Sequence, residues 1–155
     1  MCIPVLFYHC FGCVMGSLGA VTRGAAMVIP AEYFNPSATL DALEKEHCTT
    51  IYGVPTMFVA LLDDASFAAR KFTALRSGIM AGSPCPIEVM KKVIALMGAK
   101  EITIAYGQTE TSPVITQSVT SDALALRVET VGRELPGVEV KIVHPETGVV
   151  CKDNE

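Results

Sequence analysis

Proline and glycine punctuate this chain in a way that few folds accommodate. Pro36, Pro55 and Pro86 each stand where an apolar helical pattern begins, and Gly53, Gly82 and Gly107 each close a short apolar run. Proline suits the first helical turn, whose N–H groups have no partner inside the helix, and glycine lets the backbone turn sharply at a strand end. The runs Ala25–Ile29, Thr49–Tyr52, Ser77–Ala81 and Ile102–Ala105 read as strands. Asn35 caps a helix from Pro36 to about His47, with Leu40 and Leu43 on one face. Pro55 opens a second helix carrying Met57, Phe58, Leu61 and Leu62. Pro86 opens a third, whose Ile87, Met90, Val93, Ile94 and Met97 recur at helical period until Gly98 ends it. Strand and helix thus alternate at intervals of about 25 residues, as crossover connections between parallel strands require. The spacing predicts an α/β body with a parallel sheet of about four strands and crossover helices. After about residue 125 the texture changes. Val138, Val140 and Ile142 alternate with Glu139 and Lys141, and Pro145–Gly148 reads as a turn, so a half-exposed antiparallel strand and the start of a small β element are expected there.

Composition narrows the classes. At 155 residues the chain suits one domain, and 50% hydrophobic content rules out intrinsic disorder. Twelve basic against sixteen acidic residues, with no long basic cluster, exclude a nucleic-acid binder that works by neutralising phosphates. Mean hydropathy is +0.42, which is apolar for a soluble chain of this size and points either to an exposed apolar patch available for association or to a missing piece of structure that would cover it. Cys2, Cys10, Cys13, Cys48, Cys85 and Cys151 lie largely in apolar runs of a chain with ample core material. They read as free thiols in a reducing compartment, and the single Cys10–Cys13 C-x-x-C has no second pair at zinc-ligand spacing. Met1–Thr22 carries no charged Lys, Arg, Asp or Glu, but Pro4, Gly12, Gly16 and Gly19 interrupt it and no basic region precedes it. It reads as a buried segment of the fold, and no membrane span is expected.

In an open parallel sheet, ligands bind in the crevice beyond the carboxyl ends of the strands. The loops there carry the chemistry. Gly82-Ser83-Pro84-Cys85-Pro86 is a turn bracketed by prolines, and Tyr106-Gly107-Gln108-Thr109-Glu110-Thr111 gathers a ring, hydroxyls and a carboxylate. A ring stacks on a base, a hydroxyl donates to a phosphate oxygen, and a carboxylate is a hard oxygen ligand for magnesium. Other polar groups fit ordinary roles: His47 and His144 as surface or helix-end residues, Lys91-Lys92 as a solvated helix face, and Asp63-Asp64 as a charged helix end.

The segment Tyr106–Glu110 resembles the Y-G-x-T-E motif of the adenylate-forming (AMP-binding) superfamily, which includes the acyl-CoA synthetases. Leu6–Gly12 is similar to that family's P-L-F-H-x-F-G segment, Ala81–Pro84 to its G-G-A-P loop, and Val131–Gly137 to its V-G-R-P-L-P-G stretch. The four matches fall in family order across residues 6–137. Tyr52–Phe58 looks most like the branch of medium-chain fatty acid–CoA ligases, whose setting is the mitochondrial matrix. Ser83 replaces the motif's alanine, and Glu134 replaces a proline.

The resemblance implies a two-step acid–thiol ligase using a carboxylic acid, ATP with Mg2+, and CoA. The carboxylate attacks the α-phosphate to give acyl-adenylate and pyrophosphate, and the CoA thiol then displaces AMP. It implies that Tyr106 stacks on adenine, with Gly82, Ser83 and Pro84 across from it and Gly107 and Gln108 in the same nucleotide-binding loop. Thr109 holds the α-phosphate and Glu110 the magnesium, and with His9 they make up the catalytic residues. His9 lies between the acyl tunnel and the thiol path, and Gly132 borders the acyl pocket. It further implies a partial family member. Residues 1–137 correspond to part of the adenylate-forming N-terminal domain and 138–155 to the start of a β-barrel-like part. The phosphate loop, the ribose-binding aspartate, the adenylation lysine and the mobile C-terminal domain match nothing in these residues. Two readings follow: part of an acid–thiol ligase, inactive alone, or a non-catalytic remnant that binds nucleotide weakly or serves as an interaction module.

Overall fold

A computed structural model describes residues 1–152. Its frame is a five-stranded sheet in the order β1 (Thr50–Gly53), β2 (Ser77–Ala81), β3 (Glu101–Gly107), β4 (Val114–Gln117) and β5 (Arg133–Glu134). The first three strands are parallel, and β4 and β5 add antiparallel to the edge. A π-helical stretch (Phe11–Leu18) runs directly into α1 (Gly19–Thr22). The crossovers are α2 (Pro36–Lys45), α3 (Pro55–Leu62) and α4 (Ile87–Met97), while the short α5 (Leu124–Glu129) links β4 to β5. Asn35 accepts the Ala38 N–H at 2.9 Å, so the first crossover helix is capped where the Asn-Pro pair predicts.

Alternation along the strands sorts side chains onto two faces. Ile51, Met80, Ile102 and Ile104 join Leu40, Leu43, Phe58, Met90, Val93 and Met97 in a core against α2, α3 and α4. Ile79 and Ala81 face the other way, onto Ile3, Val5 and Phe11, with Tyr52, Met57 and Ala105 packed alongside. Burial on both faces is what makes β2 a near-continuous small and apolar run. The amino-terminal segment covers the second face incompletely. Tyr8, Leu18, Val21, Ile29 and Tyr33 stay exposed, and Leu18, Val21 and Ile29 among them carry part of the high mean hydropathy. Among the described residues no helix is long and apolar enough to cross a membrane.

Two expected strands differ. Residues 25–29 do not form one: Val28 makes a single parallel bridge to Cys2, which bridges in turn to Ile51. The rung beside β1 is therefore residues 1–3, held by Cys2 N–H to the Thr50 carbonyl at 2.8 Å and Ile3 N–H to the Val28 carbonyl at 3.0 Å. Residues 138–143 form no strand either. Their one ladder contact is the Val143–Val150 bridge across a turn at Pro145–Thr147, and Ile142 and Val149 stay exposed because nothing described packs on them. All six cysteines are free.

Candidate functional site

Parallel pairing sends the carboxyl ends of β2 and β3 to one edge, where two cavities open side by side. A cavity of about 520 Å³ is walled by Gly82, Ser83, Pro84 and Cys85 after β2, by Ile104–Gly107 of β3, and by Val128–Val131. A second, of about 340 Å³, is walled by His9–Phe11 and Met15, by Ala81 and Gly82, and by Tyr106–Glu110 with Pro113 and Val114. Gly82, Ala105, Tyr106 and Gly107 belong to both, so the end of β3 is the partition between them.

The partition is shaped by one irregularity. Tyr106 pairs with Thr116 but Gly107 pairs with Val114, so the ladder skips a residue at Tyr106/Gly107. Such a bulge bends a strand and re-aims its side chains. Tyr106 is left 50% exposed, with a ring face available to a planar ligand. Beyond Gly107 the chain folds back until the Gln108 N–H reaches the Pro113 carbonyl at 2.9 Å. That return passes so near Gly107 that any Cβ there would overlap the Pro113 carbonyl. Thr111 Oγ1 pins the loop from inside, at 2.8 Å from the Gln108 carbonyl and 3.0 Å from the Pro113 carbonyl. Across the partition, Gly82 turns the chain at φ +96°, a conformation that side chains resist.

The amino-terminal segment closes the smaller cavity. His9 Nδ1 accepts the Phe11 N–H at 3.1 Å, which leaves the ring proton on Nε2. The Cys10 thiol lies 3.6 Å from that same Nδ1 and 3.5 Å from Thr109 Oγ1, joining segments ninety-nine residues apart. Behind Gly82 the Cys85 thiol is packed against Met80 Sδ, and burial pushes it up to about 11.

Of the residues singled out from sequence, His9, Gln108, Thr109 and Glu110 meet around the smaller cavity. Ser83 and Pro84 wall the larger one, and Gly82, Tyr106 and Gly107 serve both. Gly132 lines neither. Its φ is +80°, and a Cβ there would strike the Gln117–Ser118 backbone, so it sets the turn just after the Thr130–Val131 wall. Cys10 and Thr130 carry no site role in the sequence, whereas Thr111 and Val131 lie inside segments already singled out there without a role of their own.

Among the described residues, no three His, Cys, Asp or Glu side chains converge on a metal site, and no Lys or Arg lines either cavity. The hard donors at the smaller cavity are Glu110, Thr109 and Gln108. One carboxylate with flanking oxygens fits a magnesium ion carried in by phosphates and does not fit a protein cage.

The AMP-binding enzyme family matches residues 1–155. A Bacillus subtilis (strain 168) protein provisionally named acyl-CoA synthetase YngI is 61% identical over 147 residues, covering 95% of this chain and 27% of its own length. The mitochondrial medium-chain acyl-CoA ligase ACSF2 of Danio rerio is 42% identical, covering 97% of this chain and 25% of its own. A benzoate CoA ligase from Burkholderia xenovorans LB400 superposes with a TM-score of 0.84 at 26% identity, over 99% of this chain and 30% of the solved one. The chain spans about a quarter of the length of the curated relatives it matches.

Proposed function

The chain belongs to the AMP-binding enzyme family, and from that premise we propose that it supplies the adenine and α-phosphate wall of an acid–thiol ligase. In that role a carboxylate oxygen attacks the α-phosphorus of ATP and expels pyrophosphate. A CoA thiol then attacks the acyl carbon and releases AMP. The nucleophiles belong to the substrates, so these residues contribute position and electrostatics rather than covalent chemistry. Tyr106 stacks on the base from the partition, with Gly82 and Ser83 across the larger cavity. Thr109 donates its hydroxyl hydrogen to the α-phosphate, and Glu110 would hold the magnesium, which would supply positive charge against the phosphates. His9 stands where the acyl and thiol groups meet in the smaller cavity, and Gly132 acts through the Thr130–Val131 wall. The names of the relatives support an acyl substrate. The ACSF2 name alone carries the medium chain length and the mitochondrial setting that complete this reading.

The observation that bears most weight is the placement of Tyr106 on the wall common to both cavities, with Thr109 and Glu110 beside one and the Gly82 turn beside the other. Among the described residues no Lys or Arg lines either cavity, so the phosphates of ATP would meet only Thr109 and a magnesium at Glu110, and these residues alone are expected to bind AMP and form no acyl-CoA. Calorimetric titration with AMP, beside an acyl-CoA assay with ATP and fatty acids of several lengths, tests this. Saturable AMP binding without turnover is expected. Glu110-dependent acyl-CoA formation refutes the inactivity, and absence of AMP binding leaves the non-catalytic interaction module as the better reading.

A further inference from the structure

We infer that Cys10 is a positioning residue for Thr109, aiming the threonine hydroxyl at the phosphate. The inference rests on the nucleotide reading above. Cys10 occupies the place that the P-L-F-H-x-F-G pattern leaves open, so the resemblance gives it no role. Its geometry does. The thiol lies between two acceptors, His9 Nδ1 at 3.6 Å and Thr109 Oγ1 at 3.5 Å. The Nδ1 lone pair already takes the Phe11 N–H at 3.1 Å. An imidazole nitrogen has one in-plane lone pair, so Thr109 Oγ1, a hydroxyl able to donate or accept toward the thiol, is the partner left for the S–H hydrogen. A hydroxyl that accepts there keeps its own hydrogen for another acceptor, and Thr109 lines the cavity in which the phosphate would lie. The resulting chain runs S–H to Oγ1, then O–H to phosphate oxygen. It spans the junction between the π-helical stretch and the loop after β3, where the thiol contact is a hydrogen bond between the two.

Two measurements on the full chain test the role. The first is the rate of iodoacetamide alkylation at Cys10, read by peptide mass spectrometry against exposed Cys13 as an internal reference. A thiol whose hydrogen is engaged by Thr109 Oγ1 reacts more slowly with an electrophile, so Thr109→Val should raise the Cys10-to-Cys13 rate ratio and Thr109→Ser should return it to the starting value. A ratio that is unchanged or falls in Thr109→Val overturns the assigned direction of the bond. The second compares AMP with adenosine as titrants. Cys10→Ala should weaken AMP by about two- to tenfold, the range of a single hydrogen bond, and leave adenosine within twofold. Cys10→Ser should recover AMP affinity. A merely structural cysteine weakens both ligands alike, and that result overturns the proposal. Wild-type affinity for AMP in Cys10→Ala overturns it too while leaving the nucleotide reading intact. Failure of the wild-type chain to bind AMP refutes the nucleotide reading, and the role of Cys10 falls with it.

Discussion

Gly107→Ala is the sharpest test of the loop that presents Thr109 and Glu110. The backbone of Gly107 is not left-handed, so alanine meets no dihedral penalty there and the cost is steric. An added Cβ would lie 2.8 Å from the Pro113 carbonyl carbon and 2.9 Å from Val114 Cα, and closer still to the carbonyl oxygen. Carbon atoms pack at about 3.5–4.0 Å, so the return strand must retreat by most of an ångström. That retreat stretches the Gln108 N–H bond to Pro113, now 2.9 Å, and the Thr111 hydroxyl bond, now 3.0 Å, past useful range. Two lost bonds at about 1 kcal/mol each, with about 1–3 kcal/mol of overpacking, give a destabilisation of about 3–5 kcal/mol. For a chain of this size that lowers Tm by about 6–20 °C. Urea unfolding followed by far-ultraviolet circular dichroism, with a thermal scan, measures it. A variant within about 1 kcal/mol of wild type refutes the close approach on which the loop is built.

Other outcomes follow from the same geometry. Tyr106→Ala should weaken AMP by about ten- to a hundredfold in calorimetry, as loss of one base-stacking ring predicts, while Tyr106→Phe stays near wild type. Arg70 bridges Asp41 and Glu44, and Lys45 also reaches Asp41. The Asp41 carboxyl is held below its ordinary 3.8 chiefly by Lys45 and then Arg70, and the Glu44 carboxyl below 4.5 chiefly by the Lys71 backbone N–H and then Arg70. Their depressed values favour the fold above those ordinary values, and that gain disappears as pH falls through the lowered ones. Arg70→Met should therefore flatten the acid limb of a stability–pH curve below about pH 4.5 and leave its slope at neutral pH unchanged. The Cys85 thiol, buried and raised to about 11, should resist iodoacetamide at pH 8 while Cys13 reacts.

The crossover helices were legible because their signals are local. Asn35-Pro36, Val54-Pro55 and Pro86 each start a helix whose apolar spacing matches the face it buries. Strands β1–β3 were legible for the same reason, being apolar runs closed by glycine. Ala25–Ile29 has the same texture yet pairs through Val28 alone, since its neighbour in the sheet is the three-residue rung at 1–3, too short for any period to reveal. Strands β4 and β5 were missed because, at four and two residues with only Val114 and Ile115 apolar, they are too short to show a period. At the site, the residue types were readable in the Gly82 and Tyr106 loops. Their gathering around one partition was not, because it depends on the parallel pairing of β2 with β3 and on the bulge at Tyr106/Gly107. The Cys10–Thr109 contact joins segments that only the folded chain brings together.

The most direct test of the central claim, that this edge of the sheet is a nucleotide wall, is a backbone amide shift map of the chain titrated with AMP. The account predicts saturable shifts concentrated at Gly82–Ser83, Tyr106–Glu110 and Thr130–Val131. No shifts at millimolar AMP, or shifts confined to the exposed apolar surface around Tyr8, Ile29 and Tyr33, would contradict it.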